Sequence, residues 1–224
     1  MKIKKYLIAG GNPTLLVWYC PPSQKAEITD KFFGEVEQVG FVSNSNGIPK
    51  LTMMGNELCV NATLAFASQL NEKGILQTSG IKSKVSSKNT GKITNIKLTL
   101  PFKQVGNIIL FQGIGFILSD RKETPSKKSL SVLSGKYHLP AFGQINYSKN
   151  IIEPYVYVRK TDTLFAETAC GSGSIAMNIA TGFEKIIQPT EESIVVQRDG
   201  DYFEVSAKVV PVPLSKGLKN DIFR

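Results

Sequence analysis

Two of the three cysteines in this 224-residue chain occupy matched positions. Cys59 precedes Val60-Asn61-Ala62-Thr63, and Cys170 precedes Gly171-Ser172-Gly173-Ser174. Each stretch opens an alanine-rich helical pattern that a glycine closes, Gly74 in one case and Gly182 in the other. The two cysteines are 111 positions apart, close to half the chain. A helix N-terminus offers unpaired N–H groups and about half a positive charge. A thiol there is expected to have its pKa pulled from its ordinary value of about 8.5 toward or below neutrality. The same N–H groups grip carboxylates. Two such ends facing across a cleft would hold an amino acid with one sulfur on each side of Cα. One thiolate then removes the α-proton while the opposite thiol protonates the other face, with no metal or pyridoxal phosphate. Amide donors around the carboxylate would stabilise the carbanion-like state. Such facing thiols would also be open to inactivation by disulfide formation.

Each residue also has an ordinary structural reading. A lone cysteine is usually packing, and Cys20, between a strand and Pro21-Pro22, is assigned to it. The matched placement of Cys59 and Cys170 reverses that default. Gly171-Ser172-Gly173 lets a ligand approach the backbone, but no Gly-Lys-Ser/Thr follows to make a phosphate loop. His138, beside Pro140 in a loop-like stretch, reads as surface or packing. Glu57 and Glu167 each precede a cysteine by two or three positions, and an amino-acid site needs a carboxylate for the ammonium group.

Composition narrows the classes. The net charge of +9 invites nucleic acid, but the lysines are spread among Ser, Thr and Asn without interleaved aromatics. That pattern suits edge protection or attraction of a small anion. One His and three scattered Cys give no metal-ligand spacing. The apolar run at the start is too short for a signal peptide, and none approaches the ~20 residues of a membrane span. A reducing cytoplasm is the expected location.

The elements that must position the cysteines follow from periodicity and turn signals. Strands are expected at 3–8, 14–19, 39–42, 50–54, 81–86 and 92–100, with a short helix at 24–33 and a longer one at 61–73. The second half repeats the plan: β-rich residues 108–118, a polar stretch at 120–136, strands at 145–147 and 155–158, a helix at 174–181, and strands at 193–197 and 202–210. The repeat predicts an α+β fold of two pseudo-symmetric halves, each a mostly antiparallel sheet curled around a central helix. The halves are expected at 1–103, carrying Cys59, and 104–208, carrying Cys170, with the tail 209–224 packing back on the first.

At the cysteine motifs the sequence resembles the diaminopimelate epimerase-like family of cofactor-independent two-cysteine racemases and epimerases. Glu167-Thr168-Ala169-Cys170-Gly171-Ser172-Gly173-Ser174 is similar to that family's second cysteine motif. Met54-Gly55-Asn56-Glu57-Leu58-Cys59-Val60-Asn61-Ala62-Thr63 is similar to its first, and Glu37 to Phe41 and Gly11-Asn12 match as well. The pattern is nearest to the histidine racemases of staphylopine-type metallophore pathways. Val60 departs from it, replacing the usual Gly and crowding or reshaping the carboxylate site. Thr161-Asp162 stands where diaminopimelate epimerases carry the Glu-Arg pair that holds the far end of their substrate. Phenazine-type isomerase relatives lack the second cysteine, so Cys170 argues against them.

The resemblance implies inversion at Cα of a free amino acid, with no cofactor and no metal. Cys59 and Cys170 act as the catalytic pair. Asn61, Gly171 and Ser172 contact the carboxylate beside Val60, and Asn12 and Glu167 orient the substrate. Histidine is the first-choice substrate, with Glu57 or a backbone carbonyl available to its ring, and diaminopimelate is the runner-up. The partner expected is a free amino acid, with no nucleic acid and no membrane, and a homodimer is left open. A non-catalytic amino-acid binding protein and a basic nucleic-acid binder are the readings from other classes.

Overall fold

Turn chemistry divides the chain into short strands. Asn46 and Gly47 both take positive φ, 52° and 78°, the geometry of a tight hairpin. The computed structural model describes residues 1–214. Its strands are β1 (Lys2–Ile8), β2 (Gly11–Trp18), β3 (Gln38–Ser45), β4 (Ile48–Met53), β5 (Lys73–Thr78), β6 (Val85–Thr90), β7 (Ile93–Thr99), β8 (Lys103–Val105), β9 (Ile108–Leu110), β10 (Gly115–Ser119), β11 (Ala141–Ser148), β12 (Ile151–Val158), β13 (Thr163–Ala166), β14 (Lys185–Ile187), β15 (Ser193–Asp199) and β16 (Tyr202–Val212). The helices are α1 (Lys25–Phe32), α2 (Val60–Ala67), α3 (Lys127–Lys136) and α4 (Gly171–Thr181).

The expected α+β fold of two halves, each a sheet curled around its own helix, is corrected here. One hydrogen-bonded path runs β1-β2-β3-β4-β5-β6-β7-β16-β15-β14-β12-β11-β10-β9-β8, with β13 paired to β12. A further β1–β16 pairing closes the first seven strands and β16 into an eight-stranded barrel. The described chain is therefore mostly sheet with little helix. The cause is the length of β16. Tyr202 to Lys208 pair with β7, and Val209 to Val212 then pair with β1 from Ile8 back to Lys5. Meanwhile Tyr202 to Ser206 also pair with β15. A single strand thus belongs to both parts, which local periodicity does not reveal. Of the expected tail, residues 215–224 lie outside the described residues.

Every residue of α2 is buried, and the helix packs against all eight barrel strands. It stops at Ala67 rather than at Gly74. Asn89 Nδ2, on β6, donates to the carbonyls of Ala67, Leu70 and Asn71 at 2.9, 3.3 and 3.2 Å. These bonds close the helix end and free Lys73–Thr78 to become β5. Helix α4 ends on Gly182, left-handed at φ 78°, as a glycine C-cap does. It packs on β15 and also touches α2, which brings the two cysteine-bearing helix entrances together. The polar stretch expected at 120–136 supplies α3, started by the Ser126 hydroxyl, which accepts from Ser129 N–H at 3.0 Å. No helix among the described residues is long and apolar enough to cross a membrane.

Candidate active site

Cys59 is the N-cap of α2 and Cys170 the N-cap of α4, both with extended backbone. Each sulfur accepts the N–H three residues on, Ala62 at 3.2 Å and Gly173 at 3.3 Å. This is the bond that Ser or Asp ordinarily accepts at an N-cap, made here by a thiol, and it strengthens when the sulfur ionises.

The two helix entrances interlock. Gly171 N–H donates to Asn61 Oδ1 at 2.8 Å, and Asn61 Nδ2 donates to the Ala169 carbonyl at 2.7 Å. Val60 N–H donates to Ser172 Oγ at 3.3 Å. Val60 itself is accommodated by the missing side chain opposite, since a Cβ at Gly171 would lie 2.6 Å from Val60 Cγ1. The bulk of Val60 is thus packed against a glycine.

Cys59, Val60, Asn61, Glu167, Cys170, Gly171 and Ser172 line one cavity together with Glu37, Gln38, Glu57 and an apolar wall. Its free volume is about 20 Å³, room for roughly one water. Asn12 does not line the cavity. Its side chain is spent on Glu37 Oε2, to which Nδ2 donates at 2.8 Å, and on the Thr14 hydroxyl, which donates to Oδ1 at 2.9 Å. Glu37 in turn accepts from the Thr168 hydroxyl at 2.7 Å, so Asn12 reaches the site through its neighbour. His138 is exposed at the end of α3, away from the cavity, and Cys20 lies with the packing around α1. Among the described residues no group of three or more His, Cys, Asp or Glu side chains is placed to hold a metal ion.

Gln38, part of the matched stretch Glu37 to Phe41 but given no role in the sequence reading, belongs to the site. The Cys59 thiol donates to Gln38 Oε1 at 2.6 Å, and Gln38 Nε2 donates to Glu167 Oε1 at 2.7 Å. The Glu167 carboxylate also acts on the Cys170 thiol, so Gln38 and Glu167 lead from one sulfur toward the other. Gln188 is the counterpart on the other side, its Oε1 accepting Cys170 N–H at 2.8 Å. The available signal was a glutamine at the head of the otherwise apolar run Val39-Gly40-Phe41-Val42.

Electrostatics correct one expectation. Both thiols are held well above their ordinary range, because burial dominates and the Glu167 carboxylate adds to it. The helix N–H donors pull the other way and do not prevail. Burial likewise pushes Glu57 up to about 7, and burial with the nearby Glu37 charge pushes Glu167 up to about 8. Such concentrations of displaced titration are typical of functional clefts.

No family model matches the chain. Its sequence is similar to histidine racemases. The one from a strain of Fusobacterium nucleatum subsp. nucleatum is 28% identical over 211 residues, covering 80% of this chain and 77% of the relative. That from Staphylococcus aureus is 23% identical over 212 residues, covering 78% of each. Among solved structures, a predicted epimerase from Pseudomonas aeruginosa aligns with a TM-score of 0.66 at 9% identity, covering 96% of this chain and 99% of that one. A PhzF-family phenazine biosynthesis protein from Bacillus anthracis aligns with a TM-score of 0.61 at 13% identity, covering 95% and 98%. At such identities the structures speak for the fold alone. Taken with the histidine racemase relatives, the chain is an isomerase.

Proposed function

We propose that this isomerase inverts Cα of a free amino acid by two-base chemistry, with Cys59 and Cys170 exchanging acid and base roles according to the handedness of the substrate. The observation that carries the reading is the pair of thiol N-caps on interlocked helix entrances, lining one cavity. The substrate carboxylate sits at those entrances, beside Asn61, Gly171 and Ser172, where the helix dipoles favour an anion. Glu167 receives the ammonium group.

The raised thiols fit this scheme. The Glu167 charge is one of the forces keeping both sulfurs protonated. A substrate ammonium beside Glu167 neutralises that charge and adds a positive one, so binding itself favours the thiolate that abstracts the α-proton. The carbanion-like state is then stabilised by the positive ends of the two helix dipoles beside the carboxylate. No cofactor enters the scheme.

Histidine is the substrate we put first, on the names of the relatives and on the first cysteine motif, with diaminopimelate second. The test incubates the purified protein in D₂O with each L-amino acid and with meso-diaminopimelate, following loss of the α-proton signal by NMR. Exchange with L-histidine and none with diaminopimelate is expected. Exchange with diaminopimelate alone would overturn the substrate and leave the chemistry. No exchange with any amino acid would overturn both.

A further inference from the structure

Proteins rarely leave a buried polar atom unpaired, so a buried side-chain oxygen without a partner calls for an explanation. Most polar side chains lining the cavity are already committed. Glu37 is taken by Asn12 and Thr168, Gln38 by Cys59 and Glu167, and Asn61 by Gly171 and Ala169. Two lining atoms remain among the described residues: Glu167 Oε2 and Glu57 Oε2, both buried without a hydrogen-bond partner. The first is accounted for by the substrate ammonium. The second is not.

Glu57 Oε2 lies in the space left by the missing side chain of Gly55, 2.5 Å from where a Cβ there would stand, and Val158 Cγ1 is also close to that position. Met54, Leu58, Ile114, Val156 and Phe165 belong to the same apolar lining. No lining side chain among the described residues is cationic.

We infer that Glu57 is the residue that selects the substrate side chain, its free carboxyl oxygen accepting from an N–H or ammonium group that the side chain carries into this apolar wall. The inference rests on the racemase reading above and narrows its substrate class. Two unpaired carboxyl oxygens in one cavity match an amino acid with two nitrogen donors, the α-ammonium and one on the side chain. Imidazole and amine side chains satisfy the second. Apolar side chains leave it unpaired, and a side chain ending in a carboxylate meets a like charge with no cationic side chain in the cavity lining. Glu57 takes no part in the proton transfers at Cα.

The test compares α-proton exchange in D₂O for L-histidine, L-ornithine, L-leucine and L-glutamate, first on the unaltered protein and then on Glu57→Gln and Glu57→Met. The unaltered protein is expected to favour histidine or ornithine over leucine by at least about tenfold in kcat/KM, with glutamate poorest. A charge-assisted hydrogen bond corresponds to about 10- to 100-fold. Glu57→Met should therefore shrink the preference over leucine by that factor, mainly through KM, with Glu57→Gln intermediate. A merely structural role would lower all substrates together and leave the ratio intact. Leucine exchanging as fast as histidine on the unaltered protein would overturn the inference without any variant, and so would an undiminished preference in Glu57→Met. Either result leaves the racemase reading standing. Exchange with no amino acid at all would overturn that reading, and this inference with it.

Discussion

Glu57 makes stability depend on pH in a direction opposite to that of a paired surface carboxylate. Its folded-state value of about 7, against an ordinary 4.5, comes first from burial, partly offset by backbone N–H bonds and the charge of Lys160. The folded protein therefore holds this proton more tightly than the unfolded chain. The stabilisation is fully present below about pH 4.5, declines as pH rises, and is gone above about pH 7. At about 1.4 kcal/mol per pH unit, the whole swing is worth about 3 kcal/mol, of which about 2–3 kcal/mol falls between pH 5 and pH 8. Glu57→Gln removes the titration while keeping the shape. The assay is urea unfolding followed by circular dichroism at pH 5 and pH 8 for both proteins. Subtracting the variant from the unaltered chain cancels the other titrating groups. The unaltered chain should lose about 2–3 kcal/mol more than Glu57→Gln on going to pH 8, roughly 1 M in urea midpoint. A difference constant to within about 0.5 kcal/mol would refute the reasoning, because a group buried as described must respond at that scale.

Other expectations follow from single contacts. Glu167→Gln removes a charge that raises both thiols, so thiolate absorbance at 240 nm should appear at lower pH; midpoints that stay or rise would contradict the assignment. With Glu167 at about 8 and required as carboxylate, kcat/KM should climb from pH 6 to pH 8 in the unaltered enzyme and lose that limb in Glu167→Gln. Gly171→Ala would place a Cβ 2.6 Å from Val60 Cγ1 and 2.9 Å from Asn61 Oδ1. Thermal melts should show a loss of about 1–3 kcal/mol, typical of overpacking, which Val60→Ala partly restores in the double variant.

What the sequence made legible was local. A cysteine followed by small residues and an alanine-rich run reads as a helix entrance because N-caps and glycine stops act within one turn, and Cys59 and Cys170 are both N-caps. Non-local features were hidden. The barrel closes through pairing of Lys5 to Ile8 with Val209 to Val212, just over 200 positions away, and nothing in either segment names its partner strand. The end of α2 was misplaced for the same reason: Asn89, on another strand, supplies the bonds that stop it. The ionisation of the thiols was misjudged because helix ends are visible in sequence whereas depth of burial is not. Gln38 was given no role because a glutamine acquires its meaning only when Cys59 and Glu167 are brought to its two ends.

The central claim is that two sulfurs share one inversion. It is tested most directly by incubating the unaltered protein, Cys59→Ser and Cys170→Ser with L-histidine in D₂O, following loss of the α-proton by NMR and formation of the D-isomer by chiral separation. The unaltered protein should form D-histidine carrying deuterium at Cα. Each single variant should lose inversion by orders of magnitude, because an alcohol is a far poorer base than a thiolate. Full inversion by either variant would contradict the two-cysteine account.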